Sequence, residues 1–432
     1  MKITIITLGS RGDVQPYVAL GRGLQAHGHS VTLCTAERFR DFIVDHGLNY
    51  GYMGDNILAL ADNQEVRKLM GETTNLFGAL RTMVKMAGQV GPLQRQMVED
   101  TWAAVEAADP DLIIFHPKTY TGTHFAEKLG IPAILAPTVP QFVATSELAP
   151  IGFPELPLGG WYNRMGYDMV VRMMGLGVGG YTNEWRKAHG LETQMRGTDF
   201  VRKQAGEPIP VLHPVSKHVY PVPSDWPDNV HTTGYWFLDE QTDWTPPEAL
   251  ENFLAAGEPP VYVGFGSMVS TDPRQMTETV IRGLQQAGVR GVLASGWGGL
   301  DADDLPASIF KLEQAPHSWL FPRMRAVVHH GGAGTTAAGL RAGKPTLICP
   351  YFGDQPFWGQ RIYELGVGPT PLPQKQLTAE GLAAAIHTIT TDDAMHRNAS
   401  QVGEKIRAED GVSNAIAAIE AYMGVGAEKM PV

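Results

Sequence analysis

The stretch 326-AVVHHGGAGTTAAGLRAGKPTLICPYFGDQPFWGQR-361 decides how the rest of the chain reads. A short apolar run delivers His329 and His330 to a turn holding Gly331, Gly332 and Gly334, and Thr335-Thr336 opens a helix-like segment. The first N–H groups of such a helix have no intrahelical acceptor, and its dipole is positive at that end, so the junction is an anion site. The glycines allow close approach of the backbone, and His330 adds a donor, which suits a diphosphate. The turn is not a Walker loop: Ala338 stands where that pattern needs its first Gly, and Pro345 follows Lys344 where Ser or Thr is required. The next apolar run, PTLICPYF, ends just before Asp354-Gln355. A carboxylate beside an amide can hydrogen-bond vicinal hydroxyls, as holding a sugar ring requires. Taken alone, Asp354 also reads as a helix N-cap.

Outward from this stretch, strand-like and helix-like runs alternate. PPVYVGFGS, GVRGVLASGW and FKLEQA read as strands, with a helix over 272–288. Their ends bring Gly266 and Ser267, then Trp297, then Gln314, Ala315 and His317 to the rim of the same sheet. Trp297 reads as a base-stacking or a packing residue. The alternation occurs independently at the start of the chain, in KITIITL, SVTLCT, DLIIFHP and IPAILAP. The turn 7-TLGSRGDVQP-16 follows the first strand and lacks the G-x-G-x-x-G dinucleotide pattern. Asp13 is placed there either to accept a proton from a hydroxyl or to cap a helix beginning at Val14. Pro, Trp and Asp crowd 205–247 and suit a boundary. The fold class predicted is therefore α/β, with two Rossmann-like, doubly wound parallel-sheet domains facing across a cleft. They cover 1–220 and 248–400, joined by a linker over 221–247.

Composition narrows the partners. Lys+Arg 34 against Asp+Glu 45 gives a net charge of -11, so no overall positive field draws in nucleic acid or an anionic membrane. Cys34 and Cys349 lie in separate apolar runs, which suits reduced thiols and a cytoplasmic location and offers no zinc site. No signal peptide or integral membrane segment is expected; 165–181 comes nearest to a span and is interrupted by Asp168 and Arg172. The methionines at 165, 169, 173 and 174 read as helix core or as the lining of a lipophilic pocket.

The run HHGGAGTTAAGLRAGKPTLICPYFGDQPFWG, with APHSWLFPRMRAVVHH before it and GSRGDVQPYVALGRGL near the start, resembles the nucleotide-sugar glycosyltransferases of the sterol glucosyltransferase and antibiotic glycosyltransferase type. The resemblance implies the GT-B fold, with a last helix within 401–432 crossing back to the first domain. It implies that His330 contacts the donor diphosphate, with Gly332, Ala333, Gly334 and Thr335 in the donor-binding turn. Asp354 and Gln355 would hold the donor sugar, as is usual for glucose or galactose. Gly266, Ser267, Trp297, Gln314, Ala315 and His317 complete the implied donor site, and Ser10, Arg11 and Gly12 form the turn near the acceptor. Asp13 takes the position of the catalytic base. Many relatives carry His there, supported by a carboxylate after a later strand; here DLII runs into Phe115-His116 with no Asp, so Asp13 acts either alone or with His116. Plant-like relatives stack uracil on a Trp that Gln314-Ala315-Pro316-His317 lacks, which leaves UDP and dTDP both open.

The implied reaction is an inverting, metal-independent transfer of glucose from a UDP-sugar, with no cofactor, to a hydroxyl of a lipophilic acceptor such as a sterol, triterpenoid, flavonoid or polyketide. The alternatives are a dTDP-deoxysugar transferase of antibiotic tailoring and a noncatalytic nucleotide- or lipid-binding protein of the same fold. Peripheral membrane contact is compatible with such an acceptor.

Overall fold

The computed structural model describes residues 1–62, 76–194, 199, 201–239, 244–265, 273–294 and 305–425. Two compact units emerge: one of Met1–Lys217, Val222–Leu238 and Asp410–Val432, the other of His218–Pro221 and Asp239–Glu409.

The first unit runs β1 (Lys2–Ile6), α1 (Arg11–Ala26), β2 (Ser30–Ala36), α2 (Arg40–Asp45), β3 (Asn49–Met53), α3 (Asn56–Asp62), α4 (Leu76–Ala108), β4 (Leu112–Phe115), α5 (Gly122–Leu129), β5 (Ala133–Leu135) and α6 (Gly160–Ala188). A small hairpin of β6 (Lys203–Gln204) and β7 (Glu207–Pro208) precedes β8 (Val211–His213) and β9 (Val230–Thr232). Seven strands form one sheet in the order β3-β2-β1-β4-β5-β8-β9. Every neighbouring pair is parallel. Because both faces of such a sheet are covered, β1 and β4 read as near-continuous apolar runs, Ile3–Ile6 interrupted by Thr4 and Leu112–Phe115, all buried.

The structure adds three strands to those expected in this half. β3 holds Gly51, where an added Cβ would lie 3.0 Å from Cys34 Cβ, so a glycine that weakens the strand signal is what lets β3 pair beside β2. β8 and β9 are only three residues each and stand among prolines. β9 lies inside the stretch expected to be linker, and Trp236 and Leu238 beyond it are buried in the first unit's core.

The second unit runs α7 (Glu248–Ala255), β10 (Val261–Gly264), α8 (Pro273–Gln286), β11 (Gly291–Ala294), β12 (Ile309–Leu312), α9 (His317–Leu320), β13 (Ala326–His329), α10 (Ala333–Arg341), β14 (Thr346–Ile348), α11 (Gln355–Glu364), α12 (Ala379–Thr391) and α13 (Asp393–Arg407). Its five-stranded sheet has the order β12-β11-β10-β13-β14, again parallel throughout. The chain then returns to the first unit as α14 (Gly411–Tyr422).

The break before α14 has a local cause. The Asp410 carboxylate accepts from the Ser413 N–H at 3.0 Å and starts a fresh helix. Ile416 and Ile419 of α14 share a core with Leu20 and Leu24 of α1. An added Cβ at Gly23 would come within 2.4 Å of Val412 Cγ1, so the glycine sets how closely α14 lies on α1.

Each sheet changes direction once. In the first, β1 leads outward to β2 and β3 while β4 returns to the other side of β1; in the second, β10 and β13 do the same. Such switch points open a crevice beyond the carboxyl ends of the two central strands, where ligands of open parallel sheets bind.

Candidate active site

At the second unit's switch point, Gly264 of β10 lies opposite His329 of β13. His329 is fully buried, and its Nδ1 accepts the Gly331 N–H at 3.0 Å. Burial drives its pKa well below the ordinary histidine value. Gly331 has φ +96°, and a Cβ there would meet Ile348 Cγ2 at 2.7 Å, so neither the backbone nor the space admits a side chain. A Cβ on Gly332 would fall 2.6 Å from His330 Nε2.

Gly332 is the N-cap of α10 and offers no side chain to its N–H groups. Thr336 N–H returns to Gly332 O at 2.9 Å, so the N–H groups of Ala333, Gly334 and Thr335 precede the first intrahelical acceptor. Gly334 is exposed, with open space around its Cα. His330 Nδ1 is buried with no hydrogen-bond partner among the described residues, and burial lowers its pKa to about 4. At neutral pH the imidazole is therefore uncharged. A helix dipole, backbone N–H groups and a neutral ring meet at this corner, a set of groups that can hold an anion.

Asp354 and Gln355 follow β14. The Asp354 side chain does not cap α11; its Oδ2 accepts the Trp358 indole N–H at 2.7 Å. Gln355 is 6% exposed, and its Oε1 accepts the N–H groups of Tyr351 at 2.7 Å and Phe352 at 3.3 Å. The Gln355 carbonyl thus folds the loop, while its backbone lies directly under Gly331. The pair and the glycine turn are in this way one structure. At the far side of the sheet His317 stacks on Phe321, with ring centroids 4.3 Å apart. Gln314 is exposed and Ala315 half-buried beside it. Gly266, Ser267 and Trp297 lie outside the described residues.

In the first unit, Ile6 of β1 pairs with Phe115 of β4, so the turns that follow, with Asp13 and His116, emerge side by side. The two readings of Asp13 divide between its two oxygens. Oδ2 accepts the Ser10 N–H at 2.8 Å and the Ser10 hydroxyl at 3.2 Å, closing the first turn of α1, which begins at Arg11 rather than Val14. Oδ1 faces Lys118 Nζ at 2.7 Å and His116 Nε2 at 3.7 Å. Burial pushes the carboxyl upward, but Lys118, His116 and the Ser10 N–H outweigh it and hold the pKa below the usual aspartate range. Gly9, at φ +146°, makes room: a Cβ there would lie 2.1 Å from Asp13 Oδ2.

His116 is buried, and its pKa falls to about 3, with burial and Lys118 outweighing Asp13. Its Nδ1 accepts the Lys118 backbone N–H at 3.1 Å, which assigns the proton to Nε2. Nε2 lies 3.3 Å from Thr138 Oγ1 as well as facing Asp13. His116 is thus a fixed neutral ring behind the carboxylate, hydrogen-bonded to Thr138 and 3.7 Å from Asp13. Of the remaining turn residues, Ser10 gives its polar groups to Asp13, Arg11 bonds Gln15 at 2.9 Å and lies over the Phe42 ring, and Gly12 leaves the turn open.

Lys118 and Thr138 were not singled out by sequence. Their signal was position: Lys118 stands three residues past the end of β4, just after Pro117, and Thr138 three residues past β5.

The glycosyltransferase family 28 N-terminal domain matches residues 3–146, and the erythromycin biosynthesis protein CIII-like C-terminal domain matches 298–421. The first match takes in β1 and β4, and the second takes in β13 and the glycine turn after it but not β10. The chain thus carries matches to two glycosyltransferase domain models and has the GT-B fold. It is 39% identical over 97% of its length to a sterol 3-beta-glucosyltransferase of Emericella nidulans, and 36% identical over 97% to one of Arabidopsis thaliana. It spans 30% of the fungal relative's length and 65% of the plant relative's. Among solved structures, the glycosyltransferase of kitacinnamycin matches with a TM-score of 0.70 at 20% identity, covering 97% of this chain and 98% of that one. The calicheamicin glycosyltransferase CalG4 matches at 0.68 and 18%, covering 98% of both. Among the described residues no helix is long and apolar enough to cross a membrane.

Proposed function

We propose that this protein transfers glucose from UDP-glucose to the hydroxyl of a sterol or similar lipophilic acceptor, with inversion at the anomeric carbon and without a metal ion. The observation that carries this reading is the alignment with sterol 3-beta-glucosyltransferases over 97% of the chain, which spans both half-sites. In this reading Asp13 accepts the acceptor proton as the hydroxyl oxygen attacks the anomeric carbon, and the bond from that carbon to the diphosphate breaks. The leaving diphosphate gathers negative charge, which the α10 N–H groups and His330 stabilise. Asp354 and Gln355 hold the sugar hydroxyls, and the pre-ionised state of Asp13 supports its role as base.

Purified protein is to be incubated with EDTA, UDP-glucose and a panel of sterols, flavonoids and macrolides, and products read by mass spectrometry for an added hexose. A glucosylated sterol is the expected product. Loss of turnover in EDTA overturns the metal-free assignment. Product only with a dTDP-sugar moves the donor to the alternative reading, and UDP binding without any product moves the protein to a noncatalytic role.

A further inference from the structure

The Asp13 carboxylate is approached by donors from three places, and they differ in freedom. The Ser10 N–H and hydroxyl belong to the turn that starts α1. His116 is buried and doubly held, through Nδ1 by the Lys118 N–H and through Nε2 against Thr138. Tyr17, one turn along α1, is occupied by the Ala136 carbonyl. Arg11, the neighbouring cation, is engaged with Gln15 and Phe42. Lys118 alone among these donors combines a full charge, a 2.7 Å contact with Oδ1 and a side chain 54% exposed on a flexible stem.

That combination matters for a base. A carboxylate held by immovable donors is anionic but reluctant to take a proton, because protonation strands each donor. One mobile donor removes the conflict: it holds the anion before reaction and turns to water as the proton arrives. Resting on the transferase reading above, we propose that Lys118 is a positioning residue for Asp13, holding it as the anion through Oδ1 and yielding that oxygen when the acceptor proton is transferred. The proton moves from the acceptor hydroxyl to Asp13, and the freed ammonium is hydrated.

The test compares wild type with Lys118→Met and Lys118→Arg. The Asp13 side-chain carbon is followed by NMR against pH in protein carrying carbon-13 aspartate, with Asp13→Asn assigning the signal. An opposite charge this close depresses a carboxyl by roughly 1–3 pH units. In Lys118→Met the Asp13 midpoint is therefore expected to rise by about one unit or more. Lys118→Arg should restore it, and UDP affinity by calorimetry should stay the same. The acidic limb of kcat/KM against pH should move up with the Asp13 midpoint. An unmoved midpoint in Lys118→Met overturns the proposal, as does a limb that stays in place while the plateau falls, which is what a purely structural role would give. Because the NMR titration needs no turnover, an inactive wild type would overturn the transferase reading while the titration still decided the Lys118–Asp13 link.

Discussion

At the first unit's switch point the charge is the protein's own: Asp13 is an anion held by Ser10, Lys118 and His116. At the second unit's switch point the described residues supply the complement of a charge, with the α10 N–H groups and His330 Nδ1, which is buried and has no hydrogen-bond partner among them. Both sit on the same topology, a parallel sheet reversing direction between two central strands. Both also depend on a positive-φ glycine with no room for a Cβ, Gly9 in one and Gly331 in the other. The difference shows one framework prepared for two tasks. A carboxylate kept ionised with one mobile donor can take a proton, and helix N–H groups without an intrahelical acceptor can receive an anion from outside.

The largest break in this comparison should come from Asp13→Ala. Turnover is expected to fall by about 10²–10⁴-fold, the usual contribution of a positioned base, while UDP affinity measured by calorimetry stays within about twofold, the limit below which a contact is not measurably lost. Retained turnover would reduce Asp13 to a helix-closing residue. The matched pair Gly9→Ala and Gly331→Ala sharpens the contrast. Each introduces a side chain where φ and space forbid it, a strain of about 1–3 kcal/mol. Gly9→Ala should lower kcat with UDP affinity nearly kept, and Gly331→Ala should weaken UDP binding about tenfold or more. If both variants lose the same parameter, the division of labour is wrong.

A smaller effect separates charge from donor at His330. Since its pKa is lowered to about 4, it acts as a neutral ring at pH 7. His330→Ala should weaken UDP binding by about 1–2 kcal/mol, and His330→Gln by less. Equal losses would mean that the ring, not its hydrogen bond, matters.

A readout of a different kind is stability against acid. His116 at about 3 and His330 at about 4 are depressed from an unfolded value near 6.5. Below about 6.5 the unfolded chain therefore binds more protons than the folded one. Stability is full above that pH and is lost as pH falls toward each folded value, by at most about 1.4 kcal/mol per pH unit for each ring. Urea midpoints from pH 7 to 5 should decline. A flat profile would show that neither switch point keeps its histidine neutral.

Much of this was legible in the sequence. The strands that build both switch points are apolar runs rich in β-branched residues, ended by glycine turns at β1, β10 and β13 and by His116-Pro117 at β4, and burial on both faces of a parallel sheet demands the apolar pattern. The glycine turn before α10 was readable because its requirements are local. The edges were less legible: β9 is three residues among prolines, and β3 carries Gly51, so tertiary pairing rather than propensity makes them strands. The methionines of α6 gave a divided signal, and the structure divides them likewise, with Met165 and Met173 exposed and Met174 against the first unit's core.

By itself the sequence determined the two parallel sheets, the glycine turn before α10 and the presence of a carboxylate after β1, because period, glycine placement and helix starts are properties of neighbours along the chain. Only the tertiary structure decided what surrounds that carboxylate. Lys118 is 105 residues away from Asp13 and reaches it because β1 and β4 lie side by side. The same holds for the Gln355 backbone under Gly331 and for α14 on α1. Contacts between distant segments follow from strand order, and strand order is set by how the whole sheet buries its faces.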